Sequence, residues 1–380
     1  MIKPIAFYLP QFHEIDENNK WWGQGFTEWT NVKNATPLFR QHQQPKVPLD
    51  NNYYDLLDKE TMVWQAELAK KYYVYGFCMY HYWFKDGKKL LERPAENLLR
   101  WEEIDIHYCF SWANESWIRT WSKCDGNDWN ELYDKKLGRD GKATGGMLME
   151  QAYGGIPEWK AHFEYLLPFF KDPRYIKVAN RPMFLIYRPL SIECLEEMLA
   201  CWENWAVEDG FDGMYILSTN ADIKDNPYVR GVVKYEPTCV RQEVFRWQTY
   251  MQANIGKVRR KIFGSCLKKY DYDKIWKGIL KKYRFKKNTF PGAFVNFDDT
   301  PRRGKNGALF LGATPEKFRR YFSELVRQCR DFYKQEYVFL TAWNEWAEGA
   351  YLEPDNENQY AWLEAVREVI SEEERVNVAE

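Results

Sequence analysis

Residues 314–349 read TPEKFRRYFSELVRQCRDFYKQEYVFLTAWNEWAEG, and the fold class follows from them. Thr314 supplies an N-cap and Pro315 a first-turn proline. Beyond them Phe318, Phe322, Leu325, Val326, Cys329 and Phe332 recur at spacings of three and four and form one apolar stripe. Residues 337–342 are apolar without alternation, the pattern of a strand buried on both faces. A helix that leads into such a strand is the repeating unit of a parallel sheet covered on its outside.

The same alternation extends along the chain. Apolar runs at 5–9, 76–80, 106–111, 183–187, 214–218, 231–235 and 293–296 join 337–342 as candidate strands, and helical stripes fit 58–73, 157–170, 192–207 and 359–370. These units predict an α/β fold, a (β/α)8 TIM-like barrel forming a single catalytic domain over residues 1–380. An open doubly wound sheet is the alternative, but no GxGxxG follows the first strand and no GxxxxGK[ST] occurs. Two stretches exceed a minimal barrel: 124–155, glycine-rich and read as a long loop, and 241–288, basic and read as extra helices. Both are expected as insertions, with inserted loops at the C-terminal face of the strands.

Composition narrows the function classes. Lys+Arg 54 against Asp+Glu 55 gives a net charge of −1, which argues against electrostatic nucleic-acid binding by the whole chain. No apolar run approaches the roughly 18 residues that span a bilayer, and the first residues do not resemble a signal peptide, so a cytoplasmic location is expected. The 8 Cys are scattered without a CxxC pair and are expected as reduced thiols; the 5 His show neither HxH nor HExxH. No metal and no cofactor are expected. Aromatic residues make up 18% of the chain, with Trp 18, Tyr 26 and Phe 23, so either the core is unusually aromatic or a cleft is lined with rings.

In a barrel the chemistry sits where the strands end. Nearly every strand end here carries an aromatic beside an amide, carboxylate or imidazole, the mixture that stacks on a sugar's C–H face and bonds its hydroxyls. The candidates for substrate binding are Tyr8, Gln11 and His13 after the first strand, with Trp22, Glu28 and Trp29 in the loop beyond, and Tyr80, His81 and Trp83 at the second. Trp112, Asn114, Glu115 and Trp117 follow the third, Glu236 the sixth, Arg302 the seventh, and Trp343 and Asn344 the last. Glu345 and Glu348 are the sharpest pair. Three apart on a helical turn, their Cβ atoms would lie roughly 5–6 Å apart, so one pKa should rise while the other stays low, as acid–base cleavage of a glycosidic bond requires.

Taken together, the strings FYLPQFH, WWGQGFTEW, YGFCMYHYWF, FSWANESW, MLMEQAYGG, FKDPRYIKVANRPMFLIYRP and TAWNEWAEGAYLEPD resemble the WbsX-type proteins of bacterial surface-polysaccharide gene clusters. These in turn resemble glycoside hydrolase family 99, whose members are barrel endo-α-mannosidases and mannanases that retain anomeric configuration without a metal. Its NEWxEG motif is similar to 344–349, residue by residue. The resemblance implies Glu348 as general acid/base and Glu345 as the base that deprotonates the sugar's 2-hydroxyl for attack on the anomeric carbon. The 124–146 stretch departs from the pattern, since WbsX-type chains join the flanking motifs through fewer residues.

The expectation is therefore a retaining glycoside hydrolase or transglycosylase acting on an oligosaccharide or polysaccharide. Its partners would be a glycan substrate and polysaccharide-assembly proteins, with no nucleic acid and no membrane span. Two alternatives stand beside it: a glycosyltransferase of surface-polysaccharide (O-antigen or lipopolysaccharide, capsule) biosynthesis using an activated sugar, and a non-catalytic glycan-binding barrel.

Overall fold

The computed structural model describes residues 2–118, 147–223, 225–245, 267–281 and 288–379. A nearly closed ring of 9 parallel segments makes the barrel. They are β1 (Lys3–Tyr8), β2 (Gly76–Trp83), β3 (His107–Trp112), β4 (Arg181–Ile186), β5 (Tyr215–Thr219), β6 (Val229–Val233), β7 (Thr289–Phe290), β8 (Gly292–Phe294) and β9 (Tyr337–Thr341). Their spatial order is β7-β6-β5-β4-β3-β2-β1-β9-β8. β7 pairs with β6 and β8 with β9, and Pro291 alone separates the two segments. Proline has no N–H to give a ladder, so the pairing breaks there while the Pro291 carbonyl still accepts from Phe339 N at 3.2 Å. The two segments thus share one strand position, and the (β/α)8 barrel read from the sequence is the fold.

Every residue of β9 is buried, as are all but the first of β1, β3 and β4. This explains why these strands are continuous apolar runs: one face meets the barrel interior and the other the surrounding helices. Helix Pro315–Gln328 is capped by the Thr314 hydroxyl, which accepts from Lys317 N at 3.3 Å, and it buries Phe318, Phe322, Leu325 and Val326. A π-turn at Cys329–Tyr333 follows. Its wider turn shifts the phase of the stripe, so Cys329 stays buried while Phe332 is exposed. Helices Lys59–Lys71, Ile156–Lys171, Leu195–Glu208 and Ala361–Ala379 answer the other stripes. Phe318 meets Trp362 with ring centroids 5.9 Å apart where the two C-terminal helices pack.

Of the two long stretches, residues 119–146 lie outside the described residues, as do 246–266 and 282–287. Met147–Met149, within the stretch read as loop, forms a short antiparallel ladder with Trp117–Ile118. The basic stretch read as extra helices contains a strand as well: Lys268–Asp271 pairs in parallel with Ala308–Leu311. Helix Tyr272–Ile279 follows it and buries Tyr272, Ile275, Trp276 and Ile279 in the same core as the barrel. A four-residue strand rich in lysine offers too little periodicity to be read from sequence. Among the described residues, no helix is long and apolar enough to cross a membrane, and Cys78 and Cys109 face each other on β2 and β3 as buried thiols.

Candidate active site

Glu345 and Glu348 do not sit on an α-helix. Asn344–Glu345 pairs antiparallel with Ala350–Tyr351, and Trp346–Glu348 closes the gap as one 3₁₀ turn. Gly349 ends that turn at φ +57°, with the position of a Cβ only 3.0 Å from Asp298 Cβ; a left-handed residue without a side chain is what this spot admits. The turn is fastened on every side. Asn344 Oδ1 accepts from Leu9 N at 2.7 Å and its Nδ2 donates to Leu9 O at 3.0 Å. Asp298 N donates to Glu348 O at 2.6 Å, and the Asp298 carboxylate accepts from His42 Nε2 at 2.7 Å and Gln44 Nε2 at 2.8 Å. Behind the turn the buried Glu353 carboxylate accepts from Trp346 Nε1 at 2.6 Å, Gln65 Nε2 at 2.7 Å and Tyr54 Oη at 2.8 Å.

The two glutamates line a cleft of about 350 Å³ at the C-terminal ends of the strands, and Arg302 joins them to a third carboxylate. Its Nε donates to Glu28 Oε1 at 2.7 Å, its Nη1 to Glu348 Oε1 at 2.5 Å and its Nη2 to Glu345 Oε2 at 3.0 Å. Burial opposes the charge on Arg302, but the fields of Glu28, Glu348 and Glu345 outweigh it and raise its pKa. Burial pushes the Glu345 carboxyl up to about 8; Arg302 pulls it down while Glu348 and Glu28 add to the rise. Three carboxylates around one guanidinium leave an excess of negative charge, and a proton held on the buried Glu345 relieves it. The site therefore stores a proton near neutral pH beside a second, half-buried carboxylate, the arrangement acid–base chemistry needs.

Of the residues predicted for substrate binding, Gln11, Trp22, Glu28, Tyr80, Glu115, Trp117 and Arg302 line this cleft together with Glu345 and Glu348. The others lie off it, each for a visible reason. Tyr8 is fully buried and donates to Gln65 Oε1 at 2.7 Å. His13 is fully buried, and burial and the Arg93 charge hold its pKa down to about 4. Trp29 packs on Phe12 and Trp346 and donates to Tyr54 O at 2.9 Å. His81 is buried with its Nε2 2.8 Å from His162 Nε2, and burial pushes it down to about 3. Trp83 stacks on His162 at 4.6 Å, and Trp112 Nε1 donates to Trp83 O at 3.0 Å; these two rings border a separate pit of about 130 Å³. Asn114 bonds the Arg188 backbone, Glu236 Oε2 caps Val240 N at 2.9 Å, Trp343 packs on Phe77 at 4.9 Å, and Asn344 clasps Leu9. Strand alternation explains most of these placements, since neighbouring residues at a strand end point to opposite sides.

The cleft also contains residues outside the set predicted for substrate binding: Asn31, Tyr82, Tyr187, Arg188, Tyr235 and Arg303. Tyr187 and Tyr235 are the final residues of the predicted runs 183–187 and 231–235, so counting each run's last residue as an end residue would have found them. Tyr80 and Tyr235 bring their hydroxyls within 2.9 Å of each other across the cleft. Asn31 belongs to the short helix Glu28–Lys33 and stands one turn from Glu28, to whose Oε1 its Nδ2 donates at 3.4 Å.

The model of the family described as Glycosyltransferase WbsX matches residues 4–366. Uncharacterized protein WxcX of Xanthomonas campestris pv. campestris is 33% identical over 372 residues, which cover 97% of this chain and 49% of that protein. The protein of the same name from strain B100 gives the same figures. The chain thus spans about half the length of the curated relatives it matches. Among solved structures, the GH99 endo-alpha-mannosidase from Bacteroides thetaiotaomicron in complex with bis-tris-propane superposes with a TM-score of 0.55 at 13% identity, over 100% of both chains. A glycoside hydrolase-like protein gives a TM-score of 0.54 at 13% identity, covering 97% of this chain and 93% of that one. At such identities the likeness establishes the barrel and nothing finer. The family match spans nearly the whole chain, and the protein belongs to the glycosyltransferase WbsX family.

Proposed function

We propose that this barrel is a retaining glycoside hydrolase or transglycosylase, acting on an oligosaccharide or polysaccharide in polysaccharide assembly. The observation that carries the reading is Arg302 tying Glu28, Glu345 and Glu348 together in a cleft walled by Trp22, Tyr80, Tyr82, Trp117, Tyr187 and Tyr235. Rings supply faces for sugar C–H groups, and the carboxylates supply proton transfer, each such transfer contributing roughly 10²–10⁴-fold in rate.

The resting site holds its proton on Glu345, and the mechanism starts once that proton has passed to Glu348. Glu345, then a carboxylate, takes the proton from a sugar 2-hydroxyl while the freed oxygen attacks the anomeric carbon. Glu348 gives its proton to the departing glycosidic oxygen as that C–O bond breaks. Water or an acceptor hydroxyl then opens the 1,2-anhydro sugar, losing its proton to Glu348 as Glu345 returns its own to O2. Two inversions leave the configuration retained. A carboxylate whose pKa is about 8 is a far stronger base than an ordinary one, which suits abstraction from a hydroxyl. The glycosyltransferase alternative needs a cradle for a donor diphosphate, and the sequence carries no GxxxxGK[ST] phosphate loop.

The test is digestion of a bacterial polysaccharide library, with products read by mass spectrometry and anomeric NMR. On any substrate found, Glu348→Gln should lose at least about 10²-fold in kcat with binding kept, and kcat/KM should be bell-shaped in pH, its alkaline limb near 8 where the proton held among the carboxylates is lost. Wild-type rates in that variant, or a kcat/KM that stays flat through pH 8, would reject the assigned roles.

A further inference from the structure

One cleft residue is held more firmly than its exposure requires. The Arg188 side chain is 55% exposed, yet it is fixed at three points. The buried Asn114 side chain grips its backbone, accepting from Arg188 N at 2.7 Å and donating to Arg188 O at 2.9 Å. Its Nε donates to Glu115 Oε1 at 2.7 Å, and its guanidinium lies 5.1 Å from the centre of the Tyr187 ring. Tyr187 in turn packs edge-on against Tyr235 at 5.9 Å. An exposed arginine normally keeps its rotamer freedom in water; this one is held by an ion pair on Nε and a ring under its guanidinium.

The restraint uses only Nε and the ring face. Among the described residues Nη1 and Nη2 form no hydrogen bond, so the fork that matches a planar oxyanion is left open on the cleft wall. Arg303, also on the cleft, is tied to Asp299 through Nε at 3.4 Å and likewise offers its terminal nitrogens. The floor of the cleft is acidic, with Glu28, Glu345 and Glu348 sharing the single charge of Arg302, so attraction for an anion falls to Arg188 and Arg303 on the wall. A neutral hydroxyl could accept from a mobile lysine as well; a prearranged two-donor fork matches an anionic substituent.

We propose that Arg188 is a specificity-determining residue that selects glycans bearing an oxyanion, a uronate carboxylate or a sugar phosphate, with Arg303 as a second contact. The proposal rests on the reading of this cleft as a glycan site. Discrimination then comes from the two terminal N–H groups, and it weakens with salt as an exposed ion pair does. A lysine keeps the charge but not the fork, so Arg188→Lys should hold part of the attraction and little of the selectivity.

The experiment compares D-glucuronate, D-glucose 6-phosphate and D-glucose as probes, with dissociation constants from ligand-observed and protein-observed NMR titration. It uses the full chain, Arg188→Ala, Arg188→Lys and Arg303→Ala, each checked for folding by thermal melt. We expect at least one anionic sugar to bind wild type about tenfold more tightly than glucose. That preference should be lost in Arg188→Ala and reduced by half-molar salt. A glucuronate preference identifies uronates as the class, and a glucose 6-phosphate preference identifies sugar phosphates. Equal binding of all three, no binding of either anion up to saturating concentration, or a preference untouched in a folded Arg188→Ala would each overturn the proposal. Binding is read without turnover, so a preference with no catalysis on any glycan would instead count against the hydrolase reading.

Discussion

Glu345 and Arg302 set the character of the site. Glu345 ionises near pH 8 in the folded chain against an ordinary 4.5, mainly because it is buried. The folded state therefore holds a proton that the unfolded state releases between those values, and stability present below pH 4.5 is lost as pH rises through 8. Glu345→Gln removes this dependence. Denaturant melts at pH 5 and pH 8 should show wild type losing stability relative to the variant over that interval, by on the order of a few kcal/mol. Arg302→Met has the opposite profile. It leaves three carboxylates without a cation in a cleft that is largely buried, and the expected cost is about 3–5 kcal/mol. The loss should be larger at pH 8 than at pH 5, because protonation relieves the repulsion; the same melts check it.

The turn carrying both glutamates depends on what stands behind it. Trp346, which separates them in sequence, donates its indole N–H to Glu353, and Glu353 is also held by Gln65 and Tyr54. Burial raises the Glu353 carboxyl to about 7, with Trp346, Tyr54 and Gln65 opposing the rise. Glu353→Gln presents an amide N–H₂ to groups that are themselves donors, leaving at least one buried donor unmatched. It should destabilise the chain by about 1–3 kcal/mol, and turnover should fall further than the melting temperature alone explains because the turn loosens. The check is a melt together with turnover on whichever glycan the library digestion identifies. The Leu9–Asn344 clasp does the same work from the other side, joining the loop after β1 to the strand that leads into the turn.

At the scale of the molecule, the barrel closes where β7 and β8 meet β6 and β9 around Pro291. A Cβ built on Gly292 would lie 1.8 Å from the Lys234 carbonyl oxygen, so the backbones approach too closely there for any side chain. Gly292→Ala should destabilise the whole fold by about 1–3 kcal/mol or more through overpacking, read as a lower denaturant midpoint with the slope unchanged. The basic stretch joins the same core, where Trp276 stacks on Phe294 of β8 with centroids 5.6 Å apart.

The sequence alone determined the barrel, because burial on both strand faces forces unbroken apolar runs and helical stripes must repeat at three and four. It also marked Glu345, Glu348 and Arg302, since no plain surface turn calls for Trp, Asn and Gly around two acids. Only the tertiary structure decided which rings face the cleft. Trp22 and Trp117 line the cleft, whereas Trp29, Trp112 and Trp343 pack in the core away from it, and their immediate sequence contexts are alike. That choice depends on which way each side chain turns at its strand end and on what distant chain arrives to cover it, as His162 covers Trp83 and Glu353 backs Trp346. The union of Glu28 with Arg302, 274 positions apart, is likewise a product of ring closure, which no local pattern of residues encodes.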